Sequence, residues 1–403
     1  MLETKVNLDR LRVAIVHHWF VEPWGGAERV VEVIASVFPN ADLFTLMSDP
    51  SVLPPDLKRR RIQTSFLQHI PGKYRWRRQL MPLYPLALEQ LDLSGYDLVI
   101  SSESGPAKGV VTSPRTCHIC YCNSPMRYIW EMYHDYLGSI RGPVARAVFR
   151  LSAHYMRLWD LATASRVDYF IANSHNVACR IGKHYRRDAA VIHCPVRTSE
   201  GFLASDVGDY YLVVGRLVDY KRVDLAIEAC NRLKRPLKVI GDGPQYNALR
   251  RIAGPTVEFL GFVSTELVQR SYAGCRALLF PGEEDFGLVP VEAQAFGRPV
   301  IAFGAGGALE TVNGLYPGDA FASAATGVFF REQSTESLIE AIRYFEAVES
   351  RFSSASIREH SAAFDEAHFR AAFESFVAAK WAEFLDVTSH SAKNTQIAAG
   401  QRI

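Results

Sequence analysis

Two periodicities alternate along this chain. Short apolar runs rich in Val, Ile, Leu and Phe are separated by longer stretches in which apolar positions recur every three or four residues. In the first half the short runs fall at residues 12–17 (RVAIVH), 96–102 (YDLVISS), 116–125 (TCHICYCNSP), 167–174 (VDYFIANS) and 189–196 (AAVIHCPV). In the second half YYLVVGRL, PLKVIGDGP, VEFLGFV, ALLF, RPVIAF and TGVFF succeed one another in the same way. Between them lie helical stripes: Val30, Val33, Ile34 and Val37, then Val144, Val148, Leu151, Tyr155 and Leu158 in a basic amphipathic stretch, and a further helix from Ser334. Strands alternating with helices in both halves predict an α/β protein, two Rossmann-like doubly wound parallel sheets facing one another across a cleft.

The polar stretch 197–209 (RTSEGFLASDVGD) is the best linker, which sets a first domain at 1–198 and a second at 209–369. The chain closes with a long helix whose stripe includes Phe364, Phe369, Phe373, Phe376, Val377, Trp381 and Phe384. So aromatic a face needs a large partner, and the helix, about 370–387, is expected to cross back to the first domain. Residues 388–403 are polar and are expected to be disordered.

The richest stretch is 277–300, ALLFPGEEDFGLVPVEAQAFGRPV. Ala277 to Phe280 read as a buried parallel strand that Pro281 and Gly282 stop. An acidic loop (Glu283, Glu284, Asp285) then leads through Phe286, Gly287 and Leu288 into a helix, with Pro290 suited to its first position. A helix N-terminus at the carboxyl end of such a strand offers unbonded N–H groups to an anion, and Glu284 and Glu292 around it can hold neighbouring hydroxyls of the same ligand. Phosphate with polyol describes a sugar nucleotide. The same residues also fit a bland reading, because a first-turn Glu is stabilised by the helix dipole without any ligand.

Gly25 and Gly26, between the first strand and the first helix, form a second place where backbone amides can approach a phosphate or simply make a tight turn. No G-x-G-x-x-G or Walker A pattern is present, so a nicotinamide or ATP function lacks its signature. His118, placed at the carboxyl end of its strand, can donate to a sugar hydroxyl or be a satisfied buried histidine. Cys117 points to the opposite strand face from His118, Cys120 and Cys122, and no second ligand cluster has structural-zinc spacing, which argues against a metal site; no Asp-x-Asp cluster suits a divalent cation either. Arg216 and Lys221 come just after a strand of the second half, where they can neutralise a diphosphate or lie on the surface.

Length and composition refine this picture modestly. The chain has 403 residues, 48% apolar and 22% charged, with a net charge of +2, values of an ordinary globular protein. No signal peptide or transmembrane run is visible, and seven cysteines, an odd number, favour free thiols and a reducing cytoplasm. Charge is unevenly spread: residues 57–88 hold Lys58, Arg59, Arg60, Arg61, Lys73, Arg75, Arg77 and Arg78 with no acid, interleaved with Tyr74, Trp76 and Tyr84. That mixture suits an anionic membrane surface or a phosphorylated acceptor, or is a solvated basic face; no nucleic-acid module accompanies it. A cytoplasmic protein, peripheral at the inner face of the membrane, is the corresponding expectation.

In order, strand-GGAE, HICYCNSPMRY, GRL-x3-K, IGDGP, LGFV, EEDFGLVPVEA, RPVIA with GG and ET, and TG-FF together make the chain resemble the family 4 retaining glycosyltransferases of the GT-B fold over nearly its whole length. The resemblance implies roles position by position. Glu284 matches the first glutamate of the E-x7-E pair, near the donor sugar's 3-hydroxyl, and Glu292 the second, on the ribose. Phe286, Gly287 and Leu288 match the loop whose amides meet sugar and phosphate, Arg216 and Lys221 the basic pair on the diphosphate, and Val263 the backbone that meets the base. Gly25 and Gly26 match the glycines that let phosphates and acceptor approach, and His118 the histidine that assists transfer. Arg222 departs from the pattern where glycine is common, and Asp285 where a small residue is common.

The same resemblance implies retention without metal or other cofactor, the donor phosphate taking the acceptor's proton on the same face. The HICYCNSPMRYIW run looks most like enzymes of bacterial surface-polysaccharide synthesis. It implies α-mannosyl or D-rhamnosyl transfer from a GDP-sugar to a lipid-linked oligosaccharide, with a UDP-sugar donor as the alternative. A GT-B-type sugar-nucleotide epimerase and a non-catalytic assembly scaffold are the readings from other classes.

Overall fold

The computed structural model describes residues 8–22, 25–77 and 79–400; Arg78 of the basic segment lies outside them. The chain divides into two units, Met1–Ile192 with Arg370–Ile403, and His193–Phe369. Each is built on one seven-stranded, all-parallel sheet.

The first sheet comprises β1 (Val13–Phe20), β2 (Asp42–Ser48), β3 (Ile62–Thr64), β4 (Leu98–Glu103), β5 (Cys117–Cys122), β6 (Tyr169–Ala172) and β7 (Ala189–Val191), in the order β3-β2-β1-β4-β5-β6-β7. The second comprises β8 (Tyr211–Val214), β9 (Leu237–Ile240), β10 (Val257–Gly261), β11 (Leu278–Phe280), β12 (Val300–Phe303), β13 (Gly314–Leu315) and β14 (Gly327–Phe330), in the order β10-β9-β8-β11-β12-β14-β13. In both, the order reverses beside the first strand, between β1 and β4 and between β8 and β11. The crevice outside the carboxyl ends of such a pair is where doubly wound sheets take their ligands.

Parallel strands covered on both faces need apolar side chains throughout, and the strands comply: Ala14, Ile15 and Val16 of β1 and Leu278 and Val300 of β11 and β12 are fully buried. Polar residues that interrupt the run hid β2 from the sequence pattern. Thr45 and Ser48 are buried there, Thr45 Oγ1 donating to the Met47 carbonyl at 3.3 Å and the Ser48 amide donating to Gln68 Oε1 at 3.0 Å.

The main helices are α1 (Gly26–Val37), α2 (Pro143–Thr163), α3 (His175–Tyr185), α4 (Val223–Leu233), α5 (Thr265–Gly274), α6 (Leu288–Ala295), α7 (Thr335–Val348) and α8 (Glu366–Gly400). Side chains mark several starts. Ser174, Ser264 and Ser334 accept the amides of Val177, Leu267 and Ser337 at 3.1, 3.4 and 3.2 Å, removing donors that a helix end would otherwise leave unbonded.

Two expectations about connections change. The stretch read as a linker packs along the second unit. Val196 bridges to Asp365, Thr198 Oγ1 donates to Asp365 Oδ2 at 2.7 Å, and Gly201 lies so close to the Ala295 carbonyl that a Cβ there would stand 2.1 Å from the oxygen. And α8 continues through residues 388–400, where disorder is expected from composition. TSHSAKNTQIAAG is polar but lacks Pro and has no Gly before 400, so a helix already nucleated by packing propagates through it.

The first part of α8 lies on the first unit, as the aromatic stripe requires. Phe373 is fully buried against Phe38 and Tyr121, ring centroids 6.5 and 6.4 Å away, with Val377 and Trp381 below it. Phe373→Ala is expected to lower stability by roughly 3–5 kcal/mol, seen as an early urea transition, whereas exposed Glu374→Ala should change it by less than about 0.5 kcal/mol.

Candidate functional site

At the carboxyl end of β8 the chain passes Gly215 (φ 139°) and Arg216 and makes a short 3₁₀ turn, Asp219–Lys221. The Lys221 ammonium folds back over Gly215, 2.9 Å from where a Cβ would be, at a φ that favours glycine. Nζ then meets Glu284 Oε1, from the loop after β11, at 2.7 Å. The two strands flank the switch point, and Gly215, Arg216, Lys221, Gly282 and Glu284 line one pocket there. Burial works against the Lys221 charge, but the Glu284 carboxylate outweighs it, aided by Tyr220 and Glu292, so the lysine's pKa is raised and it stays cationic.

Glycines let these loops touch backbone to backbone. A Cβ on Gly282 would stand 2.7 Å from Lys221 Cα, and one on Gly241 (φ 131°) 1.9 Å from the Gly215 oxygen. On the other side the 304–307 turn (GAGG) clasps the acidic loop. The Gly307 amide donates to the Glu284 carbonyl at 2.8 Å, and Gly306 (φ 59°) approaches the same oxygen. These contacts hold the Glu284 backbone in place before any side-chain interaction is counted.

Phe286 is 3% exposed and its ring stacks on His193, centroids 5.5 Å apart, with Phe364 beyond, so it anchors the loop from beneath. Gly287 (φ 90°) turns the chain into α6, which begins at Leu288. Pro290 is thus the third helical residue, not the first. Its missing N–H still falls in the first turn, and the amides of Gly287, Leu288 and Val289 have no intrahelical acceptor. Glu292, one turn on, receives the Tyr272 hydroxyl of α5 on Oε2 at 2.8 Å. Val263, just beyond β10, packs against the cluster that contains Tyr272 and Phe280. Arg216, Lys221, Glu284, Phe286, Gly287, Leu288, Glu292 and Val263 therefore gather at one edge of the second sheet.

Arg222 explains its own oddity. It adopts the left-handed region (φ 48°, ψ 41°), which favours glycine and costs about 1–2 kcal/mol for other residues. Its guanidinium meets the Asp224 carboxylate at 3.0–3.3 Å, at the start of α4 and away from the pocket lining.

In the first unit Gly25 caps α1 in extended conformation, and its amide donates to Glu28 Oε2 at 3.2 Å. The glutamate of GGAE thus closes its own helix start, with Gly26 as the first helical residue. Glu28 Oε1 also lies 3.9 Å from Nε2 of His17, a fully buried side chain of β1 that no sequence pattern singles out.

His118 is corrected. It is the second residue of β5, at the amino half of the strand, opposite Val99 and not at the ligand edge. It is fully buried, with Nδ1 3.3 Å from the Arg166 carbonyl and Nε2 2.9 Å from Ser101 Oγ. A carbonyl only accepts, so Nδ1 carries the proton and Nε2 accepts from the serine. Both ring nitrogens are occupied inside the fold, and no transfer role remains for it. Just past the carboxyl end of β5 comes Asn123 instead, buried, its side-chain amide donating to Ser102 Oγ at 3.3 Å and its backbone carbonyl accepting from Asn173 Nδ2 at 2.9 Å. Reading HICYCNSP in the direction of the strand would have found it.

A buried ionic cluster had no sequence signal. Glu103, at the end of β4, Lys108 and Asp160 of α2 are fully buried together. Lys108 Nζ is paired with Asp160 and stands 3.6 Å from Glu103 Oε1, while Trp130 and Tyr185 donate to Asp160 Oδ2 at 2.7 and 3.0 Å. Burial raises the Glu103 pKa to about 7.

Residues 208–345 match the family model described as glycosyl transferases group 1. An uncharacterized glycosyltransferase of Methanocaldococcus jannaschii is 31% identical over 37% of this chain and 46% of its own length. The O-antigen chain mannosyltransferase C of Escherichia coli is 32% identical over 24% and 28%. The matched segments thus span less than half of either relative. Among solved structures, sucrose-phosphate synthase from Thermosynechococcus elongatus superposes with a TM-score of 0.68 at 17% identity, over 92% of this chain and all of that one. Anabaena HepE in complex with UDP does so with a TM-score of 0.65 at 16% identity, over 92% and 100%. The fold is that of two-domain GT-B glycosyltransferases.

The buried state of His118 has a measurable consequence. Desolvation, with a smaller contribution from the Lys108 charge and against the Arg166 carbonyl, lowers its pKa to about 4. The unfolded chain binds that proton more readily, so stability is full above about pH 6.5 and is lost as pH falls toward 4, by about 2 kcal/mol between pH 7 and 5. Urea unfolding of His118→Gln should lack this component of the pH dependence that the unsubstituted chain displays.

Proposed function

We propose that this chain is a retaining, metal-independent glycosyltransferase that moves a hexose from a nucleoside diphosphate sugar to a glycan acceptor. One observation carries the reading: a charged lysine, Lys221, is held against Glu284 at the switch point, beside the N-terminus of α6. Such a place presents positive charge and free amides where a diphosphate can lie, with carboxylates to either side for hydroxyl groups.

In this reading Arg216, Lys221 and the Gly287–Val289 amides take up the charge that develops as the bond from the anomeric carbon to the diphosphate oxygen breaks. The acceptor oxygen bonds the anomeric carbon on the same face, and the departing phosphate receives its proton. Glu284 holds a sugar hydroxyl remote from that carbon. Glu292, oriented by Tyr272, holds the ribose, and the Val263 backbone meets the base. Cationic side chains and helix amides take the place of a divalent metal.

For the donor we favour GDP-mannose or a GDP-6-deoxyhexose such as GDP-rhamnose, and for the acceptor a lipid-linked oligosaccharide of bacterial surface-polysaccharide synthesis. The likeness to an O-antigen mannosyltransferase supports this. A UDP-sugar is the second reading, favoured by the fold shared with a UDP-binding protein.

A thermal-shift series with GDP-, UDP- and ADP-sugars separates the donors, because a ligand that binds only the folded state raises its melting temperature. Stabilisation by GDP-mannose is expected. A response to UDP-sugars alone would move the reading to the second donor, and silence across the series would favour a scaffold. Product formed from donor with no acceptor present would indicate an epimerase. Glu292→Ala should weaken nucleotide binding roughly 10- to 100-fold, the loss of charged hydrogen bonds of about 1.5–3 kcal/mol, as read by calorimetry. Lys221→Ala should lower kcat by about 10²–10³, as for other losses of transition-state charge stabilisation.

A further inference from the structure

The chain leaves β7 at Val191 and enters the second unit at His193, a residue absent from every motif that marks the ligand edge. Its imidazole makes two contacts of different kinds. With its face it stacks on Phe286, centroids 5.5 Å apart and planes inclined by 28°. With its edge it meets Glu310, Nε2 lying 3.1 Å from Oε2. A carboxylate only accepts, so Nε2 carries a proton and donates it to this bond. The His193 side chain is 34% exposed and that of Glu310 14%, and a pair so enclosed is screened less than one on an open surface.

Both partners hold the same loop. Phe286 belongs to it and precedes Gly287, where the chain turns into α6. Glu310 belongs to the short helix Ala308–Thr311, which grips that loop and the helix after it. Just before this short helix the Gly307 amide donates to the Glu284 carbonyl at 2.8 Å, and a Cβ on Gly307 would stand 2.2 Å from the Phe286 oxygen, so the main chains are already in contact. At its other end the Thr311 carbonyl accepts Gln294 Nε2 at 2.7 Å, and the same nitrogen reaches the Pro290 carbonyl, in the first turn of α6, at 3.0 Å. The short helix thus fixes Glu284 on one side and the amide-bearing turn of α6 on the other.

The residue type suits the double contact. Phenylalanine would supply the ring face without a donor, and glutamine a donor without the face; histidine supplies both from one side chain. The nucleoside end is set by other elements, since Glu292 is oriented from α5 through Tyr272 and Val263 follows β10.

We infer that His193 is a positioning residue of the donor site: through Glu310 and Phe286 it sets the place of the Glu284 backbone and of the Gly287–Val289 amides, and so of the groups around the reacting bond. This deepens the transferase reading and rests on it for its kinetic consequence.

His193→Phe and Glu310→Ala should each lower kcat for turnover of GDP-mannose, or of whichever sugar nucleotide stabilises the chain, by roughly 10- to 100-fold, the scale of a small misplacement of reacting groups. The affinity for the matching nucleoside diphosphate, read by calorimetry, should stay unchanged. Glu310→Gln keeps an oxygen to accept the Nε2 proton and should restore kcat. Hydrogen exchange supplies a readout independent of turnover: peptides spanning 283–296 should lose protection in His193→Phe and Glu310→Ala and keep it in Glu310→Gln. The inference fails if exchange in that segment is the same in all three variants, if kcat is unchanged in the first two, or if kcat and nucleotide affinity fall together, as loss of a merely structural contact would make them. If the unsubstituted chain turns over no sugar nucleotide while the exchange pattern holds, the transferase reading falls and the placement of the loop by His193 stands.

Discussion

The Lys221–Glu284 ion pair is the contact from which the second unit's ligand edge is organised. It joins the loop after β8 to the loop after β11, the two strands on either side of the point where the sheet reverses its order. A half-buried lysine stays charged only if something offsets its desolvation, and the carboxylate does so. The pair in turn depends on glycine: residues 241 and 282 bring main chains closer than any Cβ permits, Gly215 holds a positive φ beneath the lysine, and 306 and 307 clamp the acidic loop from the other side. Removing any of these close approaches would move charge, not merely volume.

The first unit has a corresponding arrangement at its own switch point with a different chemical character. Glu28 reaches back to cap Gly25 and approaches His17, and Glu103, Lys108 and Asp160 form a closed ionic cluster behind it. Ionisable groups there are spent on holding loops, whereas those of the second unit line a pocket. Nucleotide recognition therefore falls to the second unit in our reading, consistent with the span of the group 1 glycosyl transferase match.

The outer surface of the first unit obeys another constraint. An amphipathic helix needs one apolar face, and α2 has two, one satisfied by Met156 and Phe149 against the fold and one left facing solvent.

Whatever depends on neighbours along the chain was legible in the residues themselves. Alternating strand and helix periods predicted two doubly wound sheets, the run of Phe and Trp predicted a last helix with a buried face, and the glycine-flanked acidic loop before a helix marked the edge where Arg216, Lys221, Glu284 and Glu292 meet. Whatever depends on neighbours across strands emerged only on folding. His118 lies on β5 and Asn123 directly follows it, yet only pairing with β4 and the positions of Ser101 and Arg166 show that the histidine is a closed core group and the asparagine the one at the edge. Lys108 and Asp160 are far apart in sequence, and no local pattern announces that they will be buried together. Periodicity encodes which face is buried; it does not encode what that face will touch.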